Sequence, residues 1–111
     1  MTVASLDPIP LPVATDASDV ALAATGDRRA FERLYRSHVN RVFALCARMV
    51  NDRSHAEELT QDVFVRAMSR LAELREPSSA GPWLAAITRT VAIDWHRDAA
   101  RERKKTDAMK H

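Results

Sequence analysis

With 111 residues, 46% hydrophobic but only 5% aromatic, and two glycines, the chain has room for one small domain with an aliphatic core and little material for hairpins. Its formal charge of +2 is too small to prove a polyanion partner, so the distribution of charge must carry that question. Cys46 is alone, which excludes an internal disulfide, and no apolar run approaches the roughly 20 residues that span a bilayer, so a soluble cytoplasmic protein is expected, with no membrane partner.

Residues 1–15 lack a basic n-region and carry Pro8, Pro10 and Pro12, so they read as a flexible leader rather than a secretory signal. Asp16 or Ser18 can cap a short helix through Ala24, where Gly26 supplies a left-handed stop. Asp27 then caps a longer helix with Phe31, Leu34, Tyr35, Val39, Val42, Leu45, Cys46 and Met49 at spacings of three and four, while Arg33, Asn40, Arg41, Ala44 and Arg48 fall opposite. Asn51, Asp52 and Arg53 break this pattern, and Ser54 with Glu57 matches a capping box for a third helix running to about Leu74. Residues 75–81 form a loop. Pro82 suits the first turn of a fourth helix, which carries Leu84, Ile87, Val91 and Trp95 on one face. The expected fold is all-α: a compact bundle of three principal helices plus a short N-terminal helix over residues 16–105, with 106–111 as a frayed tail.

The third helix raises a question. At about 100° per residue, Ala56, Leu59, Val63 and Ala67 form a core stripe, while Glu57, Glu58, Gln61, Asp62 and Val65 point away, with Phe64 and Met68 at the border. Early acids favour the helix dipole, which accounts for Glu57 and Glu58 but not for Gln61 and Asp62. Two readings follow: Phe64 and Met68 edge the core among ordinary surface acids, or acids and apolar groups together meet a partner.

On the fourth helix Arg89, Ile93, Arg97, Ala100, Arg101 and Lys104 lie broadly opposite the apolar face, extended by Arg103 and Lys105. Cations along one face can follow a row of phosphates, although near a helix C-terminus they also favour the dipole. Trp83 can stack on an unpaired base or belong to the core; Trp95 shares the core face. His38, Cys46, His55 and His96 do not fall at the spacing of a familiar metal motif, so neither a metal, a cofactor nor catalysis is expected.

GDRRAFERLYRSHVNRVFALCARMV, DRSHAEELTQDVFVRAM and LREPSSAGPWLAAITRTVAIDWHR, in that order and spacing, resemble region 2 of an extracytoplasmic-function sigma factor of bacterial RNA polymerase. The resemblance implies a transcription initiation factor domain and two partners. One is the clamp coiled coil of the polymerase largest subunit, met by Glu58, Gln61, Asp62, Phe64, Val65 and Met68, with Leu59 packing behind. The other is the non-template strand of the promoter −10 element, held unwound. Arg75, Ser78 and Ser79 of the loop, with Trp83, would shape a pocket for an extruded base. Thr88, Arg89, Thr90 and Ile93 would line the strand's path, and Arg97, Arg101 and Lys104 would meet the backbone. An anti-sigma factor covering the clamp-docking face is the alternative partner.

The sequence departs from the family pattern in three places: Thr90 stands where many members have Asn, the loop holds Pro77 and Pro82 without the usual aromatic, and Trp83 is single where primary sigma factors have a pair. The helix-turn-helix domain that reads the −35 element has no counterpart in these residues, so the resemblance implies an isolated region 2.

Overall fold

The computed structural model describes residues 12–74 and 80–110, so the leader residues 1–11, the loop residues Arg75, Ser78 and Ser79, and His111 lie outside it. Four α-helices form the described part: α1 (Pro12–Ala24), α2 (Arg28–Val50), α3 (Arg53–Arg70) and α4 (Ala80–Lys110), with a 3-10 turn at Leu71–Glu73 after α3. No strand occurs among the described residues, in keeping with the all-α expectation.

Local chemistry sets the helix ends. Gly26, at φ +101°, closes α1: its N–H donates to Ala23 O at 2.9 Å, and the N–H of Asp27 donates to Leu22 O at 3.1 Å, satisfying two carbonyls of the last turn. Asp27 then caps α2, its Oδ1 accepting from the Ala30 N–H at 3.1 Å. Asp27→Ala is therefore expected to cost about 1 kcal/mol, seen as a melting temperature lowered by about 4–8 °C. An unchanged melt would remove the cap from the account of this turn. At the far end of α2, Asn51 takes the left-handed conformation (φ 60°, ψ 27°) and its N–H donates to Ala47 O.

Several boundaries differ from expectation. The first helix starts at Pro12, so Asp16 and Ser18 lie inside it; a proline suits a helix's first turn because its absent N–H has no partner to lose. The cap of α3 is Asp52, whose extended backbone lets Oδ1 accept from the Ser54 N–H at 3.3 Å, and Glu57 turns instead to Arg53 at 3.5 Å. The fourth helix begins at Ala80, two residues before Pro82. It also continues through the expected tail to Lys110, supported by straight-chain residues and by the Arg101–Asp98 and Lys105–Glu102 pairs one turn apart.

The main core gathers Val42, Cys46 and Val50 of α2, Ala56, Leu59, Val63, Phe64 and Ala67 of α3, and Leu84, Ile87 and Val91 of α4. Each large aliphatic side chain buried this way contributes about 1.5–3 kcal/mol. A second cluster, Val20, Leu34, Leu71 and Ala80, lets α1 cover the start of α4. Tyr35, expected in the core, is instead 38% exposed, its ring meeting Phe64 edge-on at 4.8 Å. Asp19, 3% exposed, holds α1 to α2 through Arg33, whose Nη2 stands 2.9 Å from Asp19 Oδ1.

Burial raises the pKa of the Cys46 thiol, against a weaker opposing pull from its hydrogen bond with the Thr60 side chain. Unfolding would let this thiol titrate near its ordinary value of about 8.5. Because the folded pKa is the higher one, the stability this group contributes is fully present below about pH 8.5 and is lost as pH rises beyond it. Alkylation of the native protein at pH 8 is accordingly expected to be slow compared with that of the urea-unfolded chain. Equal rates would contradict the burial of Cys46.

No helix among the described residues is long and apolar enough to cross a membrane.

Candidate functional site

Packing α3 by its Ala56–Leu59–Val63–Ala67 stripe leaves the opposite side free, and Glu58, Gln61, Asp62, Val65 and Met68 are all exposed there. At 3.6 residues per turn these five fall within about 120° of one another. Val65 is 63% exposed and Met68 57%, so two apolar side chains stand in water among three polar ones. Burying each against a partner would recover most of the 1.5–3 kcal/mol that exposure forgoes.

Phe64 must be withdrawn from this face. It is only 5% exposed and belongs to the main core, because its place on the helix border turns inward once α2 packs against α3. What the face shows near that position is Tyr35 from α2. Beside Tyr35 and Met68 opens a cleft of about 370 Å³, lined also by Phe31 and by the turn residues Gly26, Asp27 and Arg28. Sequence reasoning missed Tyr35 as a surface residue because its spacing matches the core positions of α2.

On α4 the picture also divides. Arg89, Thr90, Ile93, Arg97, Arg101 and Lys104 are exposed, with Ile93 at 49%. Arg101 is paired with Asp98 at 3.1 Å, whereas Arg89, Arg97 and Lys104 form no ion pair among the described residues. Thr90 spends its hydroxyl on Ala86 O at 3.2 Å. Thr88 is a correction: it is 0% exposed and its Oγ1 donates to Leu84 O at 2.8 Å, so the helix turns it into the core and away from any strand. Trp83 is half-buried and packs on both clusters, which favours its core reading over a free stacking platform.

The four candidate metal ligands are scattered. His38 and Cys46 are buried two turns apart on α2, while His55 and His96 flank the Trp95 ring at centroid distances of 4.8 and 5.0 Å. His55 Nδ1 meets Asp52, and His96 Nε2 lies 2.8 Å from Met49 O. Among the described residues no three such side chains gather where they could hold an ion.

Two exposed faces of different chemistry thus ride on one core, an acid and apolar one on α3 and a cationic one on α4. A family model described as sigma-70 region 2 matches residues 34–102, which takes in most of α2, the whole of α3 and most of α4. Among curated proteins, the chain is 40% identical over 75 residues to a probable RNA polymerase sigma factor, RfaY, of Xanthomonas campestris pv. campestris, covering 68% of this chain and 19% of that protein. It is 34% identical over 67 residues to the ECF RNA polymerase sigma factor SigX of Bacillus subtilis, covering 60% of this chain and 34% of that one. Against the ECF RNA polymerase sigma factor SigK of a Mycobacterium species (strain KMS) it is 32% identical over 103 residues, 87% of this chain and 53% of the relative. The chain therefore spans about a fifth to a half of the length of these relatives.

Proposed function

Since the chain belongs to the sigma-70 region 2 family, as an extracytoplasmic-function type domain, we propose that it acts in transcription initiation by docking on RNA polymerase through α3 and holding an unwound −10 strand on α4. The partner of α3 in this reading is the clamp coiled coil of the polymerase largest subunit. Glu58 and Asp62 would meet basic groups there, and Val65 and Met68 would be buried between them.

The observation that carries the reading is the exposure of Val65 and Met68 among acids, on a helix whose opposite stripe already supplies the core. A solvated helix face has no use for both apolar groups, whereas the centre of an interface does. On α4, Arg97 and Lys104 would follow phosphates, Arg89, Thr90 and Ile93 would border the strand, and the loop with Arg75, Ser78 and Ser79 would receive an extruded base. Extrusion costs a few kcal/mol, which stacking and hydrogen bonds to the base edge must recover. Such a role requires no covalent chemistry and operates wherever the polymerase does.

The cleft beside Met68 favours one further occupant of the α3 face, an inhibitory protein of the anti-sigma kind whose apolar side chains would reach from Met68 into the space over Phe31. Competition between that protein and polymerase for this chain would be its mark.

Fluorescence-anisotropy titration with single strands carrying a randomised −10-like segment, against the matching duplexes, tests the base-capture half. A preference for particular single strands over their duplexes is expected. Equal binding to every strand would reduce α4 to a basic helix and remove base capture from the account.

A further inference from the structure

Resting on the strand-holding role just described, a second line of cations becomes visible where α2 meets α4. The two helices run side by side in the same direction: a Cβ added at Gly81 would lie 3.9 Å from Arg41 Nη1 and 3.9 Å from His38 Cε1, and further along, His96 Nε2 is 2.8 Å from Met49 O. These contacts fix which edges of the helices face each other. Arg48 is seven residues beyond Arg41 and so falls within about 20° of it, on the same edge of α2. Arg89 is seven residues before His96 and falls within about 20° of it on the facing edge of α4.

Three arginines therefore border one furrow. All three are exposed, and none forms an ion pair among the described residues. Towards α4 the edge of α2 carries His38, which is buried, and Leu45, which is half-buried, so the three guanidinium groups stand at the rim of the furrow rather than in its floor. Two other cations of α2 are committed elsewhere, Arg33 to Asp19 and Arg36 to Glu32, each at 2.9 Å, while Arg28 and Arg29 sit at the start of the helix, away from the furrow. Arg41 stands against Gly81, the second residue of α4, and so beside the end of the loop that precedes the helix.

We propose that the α2–α4 furrow, bordered by Arg41, Arg48 and Arg89, is a phosphate track that carries the backbone of the single DNA strand away from that loop. Arg41 and Arg48 are separated by about 10.5 Å of helix rise, far enough to meet different phosphates of one strand. The resemblance placed the strand on the loop and α4; the furrow makes α2 its second wall.

The test is an anisotropy titration of the whole 111-residue chain with a labelled mixed-sequence single-stranded DNA oligonucleotide across a salt series, comparing wild type with Arg41→Ala, Arg48→Ala and Arg29→Ala. Arg29 is an exposed cation about 120° round α2 from Arg41 and serves as the control. Each furrow variant is expected to bind more weakly and to lower the slope of log K against log salt by about 0.7, the value for one single-strand phosphate contact, while Arg29→Ala leaves the slope unchanged. Circular dichroism confirms that each variant is folded. Unchanged slopes for Arg41→Ala and Arg48→Ala, or an equal loss in Arg29→Ala, would overturn the track while leaving base capture to be judged by strand preference. Reduced slopes without any strand preference would keep the track and remove base capture. Absence of salt-dependent binding by the wild type would overturn the track outright.

Discussion

Phe64→Ala is expected to destabilise the domain by about 3–5 kcal/mol, lowering the melting temperature by at least about 12 °C. The ring is 5% exposed, sits in the main core and meets Tyr35 edge-on, so its removal leaves a cavity between α2 and α3 that rigid helices cannot close. Its neighbour Val65, 63% exposed, provides the contrast: Val65→Ala should leave the melting temperature within a few degrees of wild type. Scanning calorimetry on the two variants separates core from surface on adjacent residues. A Phe64→Ala variant that melts like wild type would return Phe64 to the exposed face.

Asp62→Arg is expected to weaken binding to core RNA polymerase at least about 100-fold, roughly 2.7 kcal/mol, because it sets a cation against the basic groups that the proposed docking mode places opposite. The fold should be untouched, since Asp62 is exposed and makes no ion pair among the described residues. Surface plasmon resonance on immobilised core enzyme reads the affinity, and circular dichroism reads the fold. Undiminished affinity in a folded variant would detach the α3 face from the polymerase.

How far the sequence could be read differs from residue to residue, for physical reasons. The cap at Asp27 and the stop at Gly26 depend on a few neighbouring atoms, so their residue types announce them, and both take the expected roles. The α3 stripe was equally plain, because four residues at spacings of three and four can face only one way. Border positions were not legible. Phe64 and Met68 lie one turn apart at the stripe's edge, and only the placement of α2 sends the first inward and leaves the second 57% exposed. Thr88 shows the same limit from another side: assigned to the strand's path by resemblance, it is turned into the core by the rotation of α4, where its hydroxyl is satisfied by Leu84 O. At the end of α4 the polar residues expected as a tail carry helix through Lys110, because polar composition marks missing burial, not missing helix. Arg41 illustrates what no local pattern contains, since its position beside Gly81 arises only when α2 and α4 lie together.

The central claim is that one small core presents a polymerase-docking face on α3 and a strand-holding face on α4, and that the two work jointly. It is tested most directly by measuring how much of a labelled −10-like single strand core RNA polymerase retains, with the chain absent, present, or present as Asp62→Arg. Retention is expected to require the chain and to be lost with Asp62→Arg, while that variant alone still binds the strand as wild type does. Equal retention in all three cases would contradict the claim.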